Sequence, residues 1–243
     1  MTMTYFSRIL LALSIILIQV GVSNAQFGKI LNKAEKVLKG ENPLSKDEVA
    51  MGLKEALDQG IGEAVDKLSA EDGYLKSKYK IEVPSEASKV ISKVKMLPGF
   101  ENIERELTER MNKAAESAAK KATPIFVNAV KSITFKDAMD ILGGTDDAAT
   151  SYLQDRSYDN LYKEFMPVIV SALDEVNARS YWKSAVSAYN KLPFVSKANP
   201  ELDDHVNKQA LVGMFSLIAL KEKGIRNNSA QQNTKLLKKV FGK

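Results

Sequence analysis

The sequence predicts an all-α protein: a single compact multi-helix domain of about ten helices. Three observations predict it. Apolar residues recur at steps of three and four from Phe27 to the C-terminus, the period of helices with one buried face. The one alternating stretch, Tyr79, Ile81 and Val83 between Lys80 and Glu82, is stopped by Pro84. It has no second strand to pair with, so no sheet is expected. The chain has no cysteine, so helix packing alone must hold the fold.

The elements follow in order. Ser45-Lys46-Asp47-Glu48 has the form of a capping box, with an apolar stripe behind it through Val49, Leu53, Ala56, Leu57, Ile61, Ala64, Val65 and Leu68. Gly60 and Gly62 either weaken that helix or admit a close neighbour. Residues 73–84 read as a short extended segment at most. Helices resume over 85–96, and Leu97-Pro98-Gly99 turns the chain. A long helix over 102–122 carries the small-residue run Ala114-Ala115-Glu116-Ser117-Ala118-Ala119, which suits close helix packing. Pro124 fits the first turn of a helix ending at Ser132.

Thr134 to Asp137 caps a short helix ending at Leu142, and Gly143-Gly144 terminates it. Thr145-Asp146-Asp147 caps the next, toward Leu153. Ser157 starts another through Leu173, with Pro167 as a kink or a join. Further helices cover 181–191, stopped by Pro193, and 201–223. A basic helix closes the chain within 229–243. No fixed-period repeat or low-complexity linker interrupts this order.

Residues 1–25 read as an export signal. Arg8 is their only charge, an apolar run spans Ile9 to Val20, and Ser23-Asn24-Ala25 places small residues at the cleavage positions. The run is shorter than the ~20 apolar residues of a membrane span. Cleavage is expected after Ala25, releasing a periplasmic or secreted protein of 218 residues, 26–243, with no transmembrane span.

The chain's net charge is +5, and +4 remains once Arg8 is removed. From Lys221 onward seven cations face Glu222 alone, a net of +6, so residues 26–220 carry −2. The basic character belongs to the tail. Such a tail favours anionic partners, or it is a solvated last helix with its cations at the favourable end of the dipole. Absent cysteine excludes a lipidated N-terminal cysteine, zinc–thiolate sites, iron–sulfur clusters and thiol chemistry. No nucleic-acid partner and no cofactor are expected.

Several stretches resemble one bacterial family. They are Met111 to Glu116, Phe135 to Gly144 and Asp146 to Leu153, with Leu44 to Leu57, Ala210 to Phe215 and Ile225-Arg226. Thr234, Leu236-Leu237 and Val240-Phe241-Gly242 complete the order. The family is domain of unknown function 4197. The resemblance implies an exported helical protein with no assigned activity and no catalytic residues to carry over. It would also place a proline and an arginine between Arg226 and Thr234, where this chain has Ser229 and Gln232.

Asn112, Glu116, Asp137, Asp147 and Arg226 are the candidate ligand-binding residues. Asn112 and Glu116 share a helix face, and Asp137 and Asp140 are three apart. Converging carboxylates could hold a hard cation or divide acid and base roles. The competing reading makes these acids helix caps, and the calcium-loop spacing is absent. His205, with Glu201 four residues before it, is half of a metal site whose other half the chain lacks. It reads as a helix-start histidine. Arg226, beside Asn227 and Asn228, binds an anion or fixes a turn. Aromatics gather between Tyr152 and Tyr189, around the chain's one tryptophan, Trp182. They are core, or they line a groove. Lys235, Lys238 and Lys239 beside Leu236, Leu237, Val240 and Phe241 make a short amphipathic end. It lies on an anionic surface or docks on the domain.

The function expected is non-enzymatic binding or interaction at the cell envelope, with an anionic envelope component or a protein as partner. One alternative is a hydrolase or metal-dependent enzyme using Glu116, Asp137, Asp140 and Asp147. Another is a structural or oligomer-forming protein. No catalytic residue and no metal ligand is assigned.

Overall fold

A computed structural model describes residues 44–132, 134, 136, 138–199 and 201–242. The expected export signal over 1–25, the segment up to residue 43, and Asp137 lie outside the described residues. The chain divides after Ser45, and the compact unit that follows is described below.

Its helices are α1 (Lys46–Leu68), α2 (Ser85–Val94), α3 (Ile103–Ala119), α4 (Ala122–Ser132) and α5 (Ala138–Leu142). Then come α6 (Ala148–Glu175), α7 (Ala178–Asn190), α8 (Asp203–Asn227), a 3₁₀ turn (Ser229–Gln231) and α9 (Lys235–Phe241). Among the described residues there is no strand. The fold is all-α, as the periodicity predicts.

In the apolar stripe of α1, Val49, Leu53, Ala56, Leu57, Ile61, Ala64 and Leu68 are buried, while Val65 is only half-buried. The stripe packs chiefly on α8, while α8 also packs along α6, and α6 on α3. Gly60 is where α1 and α8 nearly touch. A Cβ there would stand 3.2 Å from the backbone Cα of Ile218. Gly62 faces open space, so the close-approach role falls to Gly60 alone. Ala114, Ala115, Ala118 and Ala119 of α3 are all buried, as expected of small residues under close packing.

Three expectations are corrected. The break expected before Ser157 does not occur, and α6 runs unbroken for 28 residues with Pro167 inside it. Ser157 is no cap: its hydroxyl donates back to the Leu153 carbonyl within the same helix, the alternative that lets serine sit inside a helix. Asp147 occupies the position before α6 but makes no side-chain bond to it. It accepts instead from the Thr145 hydroxyl at 2.8 Å. The C-terminal segment 229–243 is not one helix. Its helical part is Lys235–Phe241, capped by Thr234 Oγ1 accepting from the Leu237 amide at 3.1 Å.

The segment before α2 is turns through residue 79 rather than extended from 73, and where it runs on to Ile81 a side chain holds it. Asn112 Oδ1 accepts from the Ile81 amide at 2.8 Å, and Asn112 Nδ2 donates to the Ile81 carbonyl at 2.8 Å. The amide imitates the edge of a strand, which answers both backbone groups of Ile81 without a sheet.

Candidate functional site

The two ends of α8 are built differently. At its C-terminal end, Glu222 is wholly buried and Arg226, one turn later, has an 8% exposed side chain. Glu222 accepts from the amides of Ala149 (2.9 Å) and Thr150 (2.7 Å) and from the Thr150 hydroxyl (2.7 Å). These are first-turn amides of α6, which a helix leaves without internal partners and where negative charge is favoured. A carboxylate more than seventy residues distant in sequence thus caps α6. Arg226 donates from Nε to Glu222 (2.8 Å), and from Nη1 and Nη2 to the carbonyls of Leu142 (2.8 Å) and Ile141 (3.1 Å). It therefore closes the end of α5, and its guanidinium lies 5.5 Å from the Phe241 ring centroid of α9. Arg226 is a clamp between helices, with its donors on protein acceptors. Nearby, Asp146 accepts from Asn227 at 2.8 Å and pairs with Lys223 at 3.2 Å. Those contacts, the Asn227 bond first, hold its carboxyl below the usual range.

The remaining predicted residues do not gather. Asn112 and Glu116 share a face of α3 and both hold the segment before α2. Glu116 accepts from the amides of Tyr74 (3.2 Å) and Leu75 (3.4 Å). Asp140 and Asp147 are exposed. Among the described residues no three His, Asp or Glu side chains stand close enough to hold a metal ion. On α9, Leu237, Val240 and Phe241 are buried against the domain, and Lys235, Lys238 and Lys239 face outward. Lys239 pairs with Glu48 of α1.

At the N-terminal end of α8 lies a groove of about 670 Å³. Pro84, Glu86, Ala87 and Val90 form one wall, Trp182 and Tyr189 of α7 another, and residues 196–199, 201 and 202 with the first turn of α8 close it. Both irregular walls are pinned by asparagine side chains. Asn112 holds Ile81 as described. Asn190 holds Ala198 the same way, accepting from its amide at 2.9 Å and donating to its carbonyl at 3.2 Å. His205 joins the walls: its Nε2 meets the Glu82 carbonyl at 2.8 Å. A carbonyl only accepts, so Nε2 carries the proton.

The groove end has unanswered polar atoms. Trp182 is 2% exposed, and its indole Nε1–H has no acceptor among the described residues. Asn207, also buried, donates to the Tyr162 carbonyl at 3.0 Å, while its Oδ1 has no donor. Beside them the Tyr162 hydroxyl donates to Asp204 at 2.6 Å. That bond holds the Asp204 carboxyl below its usual range and pushes the tyrosine up to about 12.

The family described as "Protein of unknown function (DUF4197)" matches residues 43–242. The chain belongs to that family. No curated protein and no solved structure matches it. The DUF4197 match spans both the clasp and the groove, and the description assigns neither a role.

Sequence reasoning reached Trp182, Tyr189 and His205 singly but not the groove. Asn190 and residues 196–199 were missed. The available signal was Pro193, which ends α7 and forces a non-helical wall beside the one tryptophan.

Proposed function

We propose that this protein is a non-enzymatic binding protein of the bacterial cell envelope, exported by its first 25 residues, and that the groove at the start of α8 holds its ligand. The observation that carries this reading is the Trp182 indole N–H, buried in a groove wall without an acceptor. An unmade hydrogen bond on a buried donor is unfavourable by about 1–3 kcal/mol, and such groups are rare in native proteins. A ligand acceptor relieves it once the ring turns toward the groove, since the nitrogen itself has almost no exposed surface. The pinned walls support binding, since a preformed groove loses little freedom when filled. The two titratable groups at the start of α8 are already engaged: His205 with Glu82, and Asp204 with Tyr162 and Lys208. That favours holding a ligand over proton transfer.

Because the chain has one tryptophan, its fluorescence reports this groove alone. Titration with pools of capped pentapeptides, chito-oligosaccharides and glycerophosphate headgroups should give a saturable change with at least one pool. No change with any of them contradicts the reading.

A second reading rests on α9. With Leu237, Val240 and Phe241 buried, any attraction to an anionic surface is electrostatic, through Lys235, Lys238 and Lys239. The protein should pellet with anionic liposomes, and changing all three lysines to glutamate should abolish pelleting. Unchanged pelleting of that variant removes this reading.

A further inference from the structure

Independently of the groove, we infer that the loop joining α7 to α8 docks on an anionic lipid surface. Phe194 enters the headgroup layer, and Lys191 and Lys197 meet the lipid charge on either side of it.

The loop is built to present one ring. Asn190 closes its base by gripping both backbone groups of Ala198, and Phe194 is the residue midway between them. The Leu192 amide donates to the Tyr189 carbonyl at 2.9 Å, which fixes the chain as it leaves α7. Phe194 stands at φ 59°, a left-handed backbone that a bulky residue rarely adopts. It is 107% exposed, whereas the next of the exposed large apolar side chains among the described residues, Met96, is 73% exposed. The fold gains no packing from this ring and still carries its unfavourable backbone. Strain of that kind persists only where the surroundings enforce it, and it gathers at functional segments.

What flanks the ring selects the partner. Lys191 and Lys197 stand three residues before and after it, and residues 190–199 contain no acid. Both lysines are exposed. Neither forms an ion pair among the described residues, although Glu86 and Glu201 share the groove rim with Lys197. A standard protein interface takes about 800 Å² from each partner, whereas one aromatic ring offers about 150–250 Å². A lipid surface needs no matching shape. A single apolar side chain can enter the headgroup layer, and cations beside it are drawn to anionic lipid. This loop leads into the first turn of α8, while α9 lies by Arg226 at the other end of that helix. The lysines of α9 are therefore a separate set, and the two can be tested apart.

The test uses the chain from Gln26, which keeps the whole compact unit, and vesicles of phosphatidylcholine with and without phosphatidylglycerol. The protein should sediment with the anionic vesicles and much less with phosphatidylcholine alone. Phe194→Gly suits the left-handed backbone, so it should unfold at the same or a higher denaturant concentration. It should nevertheless bind the anionic vesicles about tenfold more weakly, because the ring is gone. Lys191→Ala and Lys197→Ala should each weaken binding about fivefold. Phe194→Trp should bind like the unaltered protein, and bromine on the lipid chains should quench its fluorescence. The unaltered protein, whose one tryptophan is the buried Trp182, should be quenched little. Phe194→Gly binding as tightly as the unaltered protein overturns the docking loop, and so does a bound Phe194→Trp that bromine does not quench. No sedimentation with anionic vesicles overturns it too, while the groove is judged by its own ligand titration. Binding that is lost only when Lys235, Lys238 and Lys239 become glutamate assigns the surface to α9 and overturns the loop.

Discussion

Helix α8 ends in a clasp on one side and a groove on the other, and the two treat polar groups in opposite ways. At the clasp Glu222 and Arg226 are buried, and the donors and acceptors around them meet within the protein. At the groove-forming end Trp182 Nε1, in a groove wall, and Asn207 Oδ1, outside the groove lining, are buried without partners among the described residues. A buried ion pair that also closes two other helices is a device of the fold. A buried donor left open on a concave wall holds no other element in place. The contrast separates residues that hold the structure from residues the fold leaves unanswered.

The largest expected effect is at the clasp. Glu222→Gln leaves Arg226 charged and buried and weakens the cap on α6, so denaturant unfolding should show a loss of about 3–5 kcal/mol. Replacing both residues by methionine should recover only part of it, because the uncompensated charge goes but the α6 amides and α5 carbonyls lose their partners. If Glu222→Gln changes stability little, the clasp is not what holds α5, α6 and α8 together.

Asn112→Ala comes next. It strands the amide and carbonyl of Ile81 and should lower stability by about 2–3 kcal/mol. Hydrogen exchange at the Ile81 amide should accelerate, and the groove wall should loosen with it. Gly52→Leu tests how α9 is held beside the clasp. A Cβ at Gly52 would stand 2.7 Å from Val240 Cγ2, so the leucine should push α9 off and reduce stability by about 1–2 kcal/mol. Limited proteolysis should then cut near Thr234.

The smallest effect concerns pH. Asp146 has its carboxyl lowered from 3.8, by Asn227 first and then Lys223. A lowered folded value means the stabilisation is complete above 3.8 and is lost as pH falls through the folded value. Asp146→Asn should therefore lower stability slightly at neutral pH, flatten the acid limb of a stability–pH curve and leave its most acidic end almost unchanged.

The helices were legible because burial writes a period into the sequence. Val49 to Leu68 and Ala114 to Ala119 announce their buried faces without any tertiary knowledge. What was not legible is what travels far along the chain. Asp147 stands where a cap belongs, yet Glu222 supplies it from another helix. No local pattern distinguishes the two. Ser157 looks like a helix start because its hydroxyl can serve as a cap or bond back to Leu153, and only the neighbours decide. The extended segment at Ile81 seemed to lack a partner because a side-chain amide took the place of a strand. The groove draws on three stretches of chain, around Ala87, Trp182 and His205, so its residues could be named singly but not assembled.

The claim that the indole N–H of Trp182 is unanswered in the folded protein can be tested with one substitution of shape-matched chemistry. Since the chain has a single tryptophan, growth on benzothienylalanine replaces that N–H alone with sulfur and keeps the ring size. Unfolding of this protein in denaturant should give a free energy equal to the unmodified protein's, or up to about 1 kcal/mol higher, because a buried unpaired donor has been removed. A loss of about 1 kcal/mol or more would show that the N–H has an acceptor inside the fold, and the groove would lose its claim as a binding site.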